Sequence, residues 1–424
     1  MVQLTDDCFA FDGGLMPVDQ ALARVRERLV PVTAVETVPL DAALGRILAA
    51  DVVAGMDVPP HDNSAVDGWA VYADDLAADG ETRLPAGGRV AAGERLDRPQ
   101  RRGETVRIFT GAPMPLGPDG SPGPDTVFMQ EDCRVDGATV VFPPGIRRGA
   151  NRRFAGEDVS TGTTVLRAGR RLGPPDIGLA ASIGLRALPV RTGLRVAVFS
   201  TGDEVREPGS ERGAATIYDS NRYTLKALLR ALGCTVTDLG ILADDRETIR
   251  AALVDAAAGH DVLITSGGVS TGEEDHVRAA VEAEGRLDAW RLAIKPGRPV
   301  ALGVVRGKAF LGLPGNPVAV VVTFLHVARP VLLALAGAEV RDPPRFPVRA
   351  AFGYRKKPGR REYVRVKLEP VPGDLPVARR AGSEGAGVLS SLVAADGLVE
   401  LADDALGLSE GDTAAYLPFS EVMR

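Results

Sequence analysis

The chain reads as a multi-domain protein of the α/β plus β class. It is expected to have a central three-layer α/β domain with a mostly parallel sheet, an inserted β-rich domain and a small C-terminal β-barrel. Three observations predict this. Residues 194–336 alternate apolar runs of strand length with amphipathic runs of helical length, the pattern of βαβ units. Residues 51–149 are rich in Gly and Pro and carry short alternating runs. Beyond Asp342-Pro343-Pro344, apolar and polar side chains alternate again with a period of two. The expected domains are 1–50 plus 150–190 (an elongated, discontinuous helical and linker domain), 51–149, 191–340 and 341–424. With 424 residues, 45% hydrophobic and 25% charged, there is enough chain for several packed cores.

Several classes of function are disfavoured at once. A net charge of −6 supplies no basic field for nucleic acid. Cys8, Cys133 and Cys234 are scattered, which fits a reducing compartment and argues against structural zinc. The acidic start MVQLTDDCFAFDGG lacks a basic-then-apolar leader pattern, so a cytoplasmic location is expected. Residues 318–335 are strongly apolar but contain His326, Arg329 and Pro330. A buried helix broken near Pro330 is expected there, with no membrane span.

In chain order, residues 17–29 predict a helix, with Val18, Ala21, Leu22, Val25 and Leu29 on one face and Pro17 at its start. A second short helix is expected over 41–50, with Asp41 as its cap. The β-rich segment carries 62–72 (DNSAVDGWAVY), 110–115 (TGAPMP) and 127–132 (VFMQED), and 117–124 (GPDGSPGP) is a loop. A helix is expected over 174–184. The α/β region then offers strand 194–200, helix 219–232, strand 234–239, a capped helix opening at Asp244-Asp245-Arg246-Glu247, and strand 262–265. Strands at 346–352, 363–368 and 397–401 follow.

The most suggestive stretch is 262–276, VLITSGGVSTGEEDH. A buried strand feeds the turn Ser266-Gly267-Gly268, then Ser270-Thr271-Gly272, then Glu273, Glu274 and Asp275 at a helix start. Glycines let backbone N–H groups approach a phosphate, and a helix N-terminus adds partial positive charge. Acids at such a turn would repel phosphate without a cation, which points to phosphate plus a divalent metal such as Mg²⁺. Ligands of parallel sheets bind at the carboxyl ends of the strands. Three loops start there: Thr201-Gly202-Asp203-Glu204, 266–275, and Leu313-Pro314-Gly315-Asn316-Pro317. Glu204, Asp219 and Asp275 on one rim would form an acidic metal cluster. Lys295-Pro296-Gly297-Arg298-Pro299 offers two cations stiffened by prolines, able to clamp an oxyanion. Arg355, Lys356, Lys357, Arg360 and Arg361 form a further basic cluster. Each feature has a plainer alternative: ordinary β–α turns, a helix cap at Asp219, and solvated basic loops at 295–299 and 355–361. No Walker A motif, Ser–His–Asp order or histidine metal spacing is present.

The segments DVPPHDNSAVDGWAVY, IFTGAPMP, FMQED, RFAGEDVSTG, STGDE, IYDSNRYTL, GILADD, SGGVSTGEED, AIKPGRPVALG and GLPGNPVA follow one another in a fixed order. Together they resemble the molybdopterin molybdenumtransferase family across nearly the whole chain, most closely over 51–324. The resemblance implies an elongated, four-part homodimer whose active site lies in a cleft between the α/β domain of one subunit and domains of the other. It implies a reaction in which adenylyl-molybdopterin and molybdate give molybdenum cofactor and AMP, with Mg²⁺. A molybdopterin adenylyltransferase and apo-molybdoenzymes are further implied partners.

Carried over by motif, Asp219 and Asp275 resemble metal-side carboxylates, with Glu204 beside them. Thr201, Gly202, Ser266, Gly267, Gly268, Ser270, Pro314, Gly315, Asn316 and Pro317 would hold pterin phosphate and adenylate. Lys295 and Arg298 resemble the oxyanion pair for molybdate. Asp62, Thr110 and Asp158 match positions lining the cleft, and Arg360 and Ser390 would add anion contacts. Some positions depart from the pattern. Arg298 stands where Lys is common, Thr271 where Val is, and Trp69 where Tyr is. The 117–124 loop is long, and Ala386 follows Gly385 where a serine is usual.

Two other functions fit the α/β region. A molybdopterin adenylyltransferase uses a similar domain but needs no β-rich or C-terminal domain. A non-catalytic carrier would not need the acids and Lys295. On the enzyme reading, Asp275→Asn and Asp219→Asn should spare the fold and lower molybdenum insertion by orders of magnitude.

Overall fold

The computed structural model describes residues 15–211, 213–268 and 276–423. The chain forms two compact units. One holds residues up to 50, 168–172 and everything from 188 onward; the other holds 51–167 and 173–187. Of the segment 150–190, residues 168–172 and 188–190 lie with the residues up to 50, and the rest lie with the β-rich unit. Backbone ladders give the reason. Asn63–Ser64 pairs antiparallel with Arg152–Arg153, Val52–Val53 pairs with Thr164–Leu166, and Val58 bridges Val159. Residues 152–166 are thus sewn to the start of the β-rich segment.

The β-rich unit is built on a six-stranded sheet in the order Thr126–Met129, Gly68–Val71, Thr105–Ile108, Thr82–Val90, Thr139–Phe142, Arg134–Asp136. Side chains alternate across it. Trp69, Val71, Leu84, Phe128, Val140 and Phe142 pack on one face, and Ala70, Val90, Val106, Ile108, Ala112 and Val127 on the other. Burial on both faces explains why Gly68–Val71 shows no polar residue. Gly68 is required there, because a Cβ would lie 1.7 Å from the Phe128 carbonyl oxygen.

In the other unit the helix Val18–Arg28 forms as its spacing predicts. The helix expected over 41–50 does not. A single 3₁₀ turn spans Leu40–Ala42, Gly45 takes φ +75, and Ile47 and Leu48 form isolated β-bridges to Arg171 and Val190. The left-handed glycine ends any helix at that point.

The α/β domain, whose elements are numbered here from its first strand, runs β1 (Arg195–Thr201), α1 (Asn221–Ala231), β2 (Thr235–Leu242), α2 (Arg246–Gly259), β3 (Val262–Ser266), α3 (His276–Glu284), β4 (Gly285–Arg291), β5 (Ile294–Lys295), β6 (Pro299–Val305), β7 (Lys308–Leu313) and α4 (Pro317–Ala336). The sheet order is β2-β1-β3-β7-β6-β4. The first four are parallel; β6 runs antiparallel to β7, and β4 antiparallel to β6, so β4 points the same way as the first four. The sheet is therefore mixed, with β4 and β6 as additions the sequence did not reveal. Three layers follow from alternation along the strands. Val196, Val198, Val262 and Ile264 pack with α1 and α4, while Ala197, Phe199 and Leu263 pack with Ile249, Leu253, Val277 and Ala280 of α2 and α3.

The helix α4 is strongly apolar, with a mean hydropathy of 2.1 over its most apolar stretch, and is 83% buried there. It is not broken near Pro330. The backbone stays right-handed helical through Phe324 and Arg329, and a π turn at Phe324–Ala328 carries it past the proline. The wider turn just before Pro330 makes room for its ring and for the hydrogen bond it cannot donate. The C-terminal domain begins with β8 (Phe346–Ala350), β9 (Tyr354–Arg355), β10 (Arg361–Glu369) and β11 (Val377–Arg380). It continues with β12 (Gly397–Leu401), β13 (Gly407–Leu408) and β14 (Thr413–Pro418). Strands β10, β11, β8, β14 and β12 pair in turn, and β12 closes back onto β10, giving a five-stranded barrel. Tyr363, Leu398 and Leu417 join the core around α4, so barrel and α/β domain share one apolar interior.

His326 on α4 is a titratable group strongly affected by this packing. It is fully enclosed and stacks on the Tyr363 ring with centroids 4.1 Å apart. Burial, with Arg345, Arg361 and Arg329 nearby, pushes its pKa down to about 3. An unfolded histidine titrates near 6.5, so the unfolded chain takes up the proton first. Its contribution to stability is complete above about pH 6.5 and is lost as pH falls from there toward 3. Between pH 7 and pH 5, the difference in unfolding free energy between wild type and His326→Leu should shrink by about 2 kcal/mol. Denaturant titrations at the two pH values measure it, and a constant difference would contradict the burial argument.

Candidate active site

Register aligns the ends of the parallel strands. Ser200 of β1 lies opposite Ser266 of β3, which lies opposite Leu313 of β7, while Thr201 lies opposite Leu242 of β2. The loops that follow therefore leave from one rim. Side chains fasten them together. The Ser266 hydroxyl donates to the Pro314 carbonyl at 3.1 Å. The Asn221 amide, at the start of α1, donates to Ser266 Oγ at 2.9 Å and to the Gly315 carbonyl at 2.7 Å. Gly267 N–H donates to the Leu313 carbonyl at 3.0 Å. Gly268 takes φ +65, and a Cβ on it would meet Val277 Cγ2 at 2.5 Å, so this turn tolerates no side chain. Of the expected substrate-binding residues, the rim thus brings together Thr201, Gly202, Ser266, Gly267, Gly268, Pro314, Gly315, Asn316 and Pro317. Ser270 and Asp275 lie outside the described residues. Asp244 is a rim residue the sequence hid. Thr201 Oγ1 donates to it at 2.9 Å, while its neighbour Asp245 caps α2. The acidic pair reads as one capping motif because the sequence does not show which acid turns toward β1.

Of the three acids expected to hold a metal, Asp275 lies outside the described residues, and the other two have different surroundings. Asp219 is 5% exposed. One of its carboxylate oxygens accepts the Arg222 backbone N–H at 3.1 Å, and the other accepts Arg222 Nε at 2.9 Å. Arg222, 2% exposed, also bonds Asp238 and Glu207. Asp219, one residue before the cap position Ser220, therefore holds a first-turn N–H of α1 and one corner of a buried ion cluster, close to the plainer of its two expected roles. Glu204 is exposed on the turn after β1. Among the described residues no group of three or more His, Cys, Asp or Glu could hold a metal ion. With Asp219 bonded to Arg222, the exposed Glu204 is the described acid of the expected three that could still take a hard cation.

Of the expected cations, Lys295 lines a cavity, where it is joined by arginines the sequence did not single out. A cavity of about 570 Å³ opens between the 314–316 turn and the barrel, with Lys295, Tyr354, Arg365 and Arg380 on its wall. Lys295 reaches it because β5 pairs parallel with β10, Lys295 opposite Glu362. Its ammonium donates to Tyr354 Oη at 3.0 Å and lies 3.2 Å from Glu362 Oε2. The Tyr354 hydrogen bond, followed by Glu362, raises the Lys295 pKa, so the ammonium stays charged. Burial pushes the Glu362 carboxyl up, but hydrogen bonds from Tyr354, Arg360 and Lys295 outweigh it and hold it below its ordinary value. Gly297, at φ +109, lets the 295–299 turn press onto α4, because a Cβ would meet Thr323 Cγ2 at 2.4 Å.

The other expected anion contacts fall elsewhere. Arg298 is exposed and is not on the cavity wall; Arg360 bonds Glu362 at 2.6 Å behind it. Ser390 is exposed at the start of the short helix Ser390–Val393, and the wall is made instead by Gly382–Ala386, where the usual serine is Ala386. Arg365 was missed. It is 9% exposed, its Nε has no hydrogen-bond partner, and one guanidinium N–H donates to the Ser383 carbonyl at 3.1 Å. A charge at an inward position of the apolar alternation Tyr363–Val366 was the available signal. Asp62, Thr110 and Asp158 belong to the β-rich unit. Asp62 accepts Arg152 Nε at 3.0 Å and the Ala155 N–H at 2.8 Å. Thr110 donates its N–H and hydroxyl to Asp67, each at 2.8 Å, and Asp158 is exposed.

Comparison with known families agrees with this construction. Residues 16–184 match the MoeA N-terminal region (domain I and II), 197–334 a probable molybdopterin binding domain, and 347–419 the MoeA C-terminal region (domain IV). The molybdopterin molybdenumtransferase of Haemophilus influenzae is 35% identical over 412 residues, covering 96% of this chain and 100% of that protein. The chain belongs to the molybdopterin molybdenumtransferase family. Molybdopterin molybdenumtransferase 2 of Mycobacterium tuberculosis is 35% identical over 88% of this chain and 93% of its own length. The crystal structure of a molybdopterin biosynthesis moeA protein from Pyrococcus horikoshii superposes with a TM-score of 0.74 at 31% identity, covering 96% of this chain and 99% of that one.

Within this family fold, Asp219 is expected to act as an anchor. Asp219→Asn should cost about 1–3 kcal/mol of stability, because Arg222 keeps only two of its three carboxylates. Chemical denaturation measures the change, and a variant as stable as wild type would contradict the anchor role. Asp219→Asn is therefore a poor probe of chemistry alone, contrary to the expectation from sequence.

Proposed function

We propose that this chain is a transferase that inserts molybdenum into molybdopterin, taking adenylyl-molybdopterin and molybdate and releasing molybdenum cofactor and AMP. The observation that carries the reading is the cavity in which Lys295 and Arg365 face the 314–316 turn. Molybdate is a compact dianion and the adenylate a phosphoanhydride. Bringing them together needs fixed cations on the oxyanion and backbone donors on the phosphate. Lys295 offers a compact point charge, and Arg365 a buried planar fork with an uncommitted N–H. The glycine turns at 266–268 and 314–316 would bind the pterin phosphate and adenylate, held in place by Ser266 and Asn221. As AMP leaves, the same cations and N–H groups would stabilise the charge that develops.

Magnesium dependence belongs to the same proposal and rests on Asp275 with Glu204, since Asp219 is taken up by Arg222. The cation would neutralise phosphate charge when bound. We further propose that the chain works as a homodimer in the cytoplasm, with Asp62, Thr110 and Asp158 contributing to the completed site. It would accept substrate from a molybdopterin adenylyltransferase and deliver cofactor to apo-molybdoenzymes.

A reconstituted assay with adenylyl-molybdopterin tests the reading. AMP release should depend on molybdate and fall roughly 100-fold in kcat/KM in Lys295→Ala. Asp275→Asn should fall at least as far while keeping the wild-type melting temperature. Pyrophosphate release from ATP, or wild-type rates in both variants, would overturn the assignment.

A further inference from the structure

We infer that Tyr354 and Glu362 are positioning residues of the oxyanion site, fixing the Lys295 ammonium on the cavity wall with one N–H left for the substrate. The inference rests on the proposed role of Lys295 and extends it to two residues outside the motifs that carry the family resemblance. Neither the family match nor the sequence reading singles them out.

An ammonium has three donors and no acceptor. Tyr354 Oη and Glu362 Oε2 lie 3.0 and 3.2 Å from Lys295 Nζ, on the barrel side. Lys295 itself remains 49% exposed along its side chain, and it lines both the 314–316 cavity and the open groove beside it. The third donor is thus left for whatever fills the cavity. Tyr354 closes a triangle by donating to the same Glu362 oxygen at 2.7 Å, and Arg360 Nε takes the other oxygen at 2.6 Å. Glu362 is 0% exposed. A carboxylate buried this completely is held only by its partners, so its position follows from β10 and the barrel rather than from solvent.

The charge count matters as much as the distances. One carboxylate faces two cations, Lys295 and Arg360, so the cluster keeps a net positive charge toward a dianion. Around it lie Arg365 on the same wall, and Arg380 with its partner Glu384 beside Tyr354. A lysine on its own is a flexible chain that loses rotamer freedom when it binds. Here two contacts restrict it beforehand, which lowers the entropic cost of capturing the oxyanion. The same contacts keep the ammonium protonated to higher pH.

Steady-state AMP release by the full-length protein, with molybdate varied between about pH 7 and about pH 10.5, provides the test. In Tyr354→Phe and Glu362→Gln, the KM for molybdate should rise by about fivefold or more while kcat at saturation changes far less. The alkaline limb of kcat/KM should move to lower pH in both, because each substitution removes an interaction that raises the Lys295 pKa. Glu362→Asp should restore part of the loss. If both variants keep the wild-type KM and alkaline limb while Lys295→Ala is inactive, positioning is refuted and the proposed role of Lys295 stands. If they merely melt earlier with an unmoved limb, their role is structural and the inference also fails. If Lys295→Ala itself retains wild-type activity, the reading of the site falls first. Should Glu362→Gln fail to fold, Tyr354→Phe decides alone, since it removes a single oxygen from a partly exposed ring.

Discussion

The pairing of two short backbone segments, Ile294–Lys295 of the α/β domain and the start of β10 in the barrel, is the constraint on which the site depends. It sets Lys295 directly opposite Glu362 and brings Tyr354 within reach of both. Without it, the 295–299 turn would be a basic loop in water. The shared core behind it makes the pairing permanent: Tyr363 of β10 sits against α4 together with Leu398 and Leu417. The carboxylate of Glu362 can be buried because three donors meet it there. Packing, strand pairing and charge placement at this junction are one device.

The second half of the site follows from register. Parallel strands that end level deliver their loops to a common rim, and Ser266 with Asn221 then links two of those loops through direct hydrogen bonds. Preorganisation of this kind is what a site for two anions needs, since donors already in place do not have to reorganise when charge develops. The buried Arg222 cluster does similar work from beneath. It fixes the start of α1, and so the position of Asn221, at the cost of committing Asp219 to a structural role.

Much of this was legible in the sequence, and what was not had physical reasons. The α/β alternation, the glycine turns and the barrel show in periodicity and turn residues, because each is local. The antiparallel strands β4 and β6 were hidden. Strand Gly285–Arg291 follows α3 with no intervening loop, so Gly285 marks the end of the helix but not the start of a strand. The missing helix after Asp41 reflects Gly45, whose left-handed conformation only tertiary contacts reveal. The course of α4 past Pro330 was misread because a π turn leaves no sequence mark. At the site, Lys295 and the rim loops were found from motif chemistry. Arg365, Tyr354 and Glu362 were not, since they belong to a different domain and meet Lys295 only through long-range pairing. Asp219 illustrates the converse: an acid at the right place in the motif can be consumed by a partner, Arg222, only three residues away.

On the proposed function, the oxyanion binds in the cavity where Lys295 and Arg365 meet the 314–316 turn. Tungstate shares the shape and charge of molybdate and scatters X-rays anomalously. Crystals of the full-length protein soaked in tungstate should show an anomalous peak within hydrogen-bonding distance of Lys295 Nζ, and soaked crystals of Lys295→Ala should lose it. A peak elsewhere on the chain, with this cavity free of tungsten, would contradict the account.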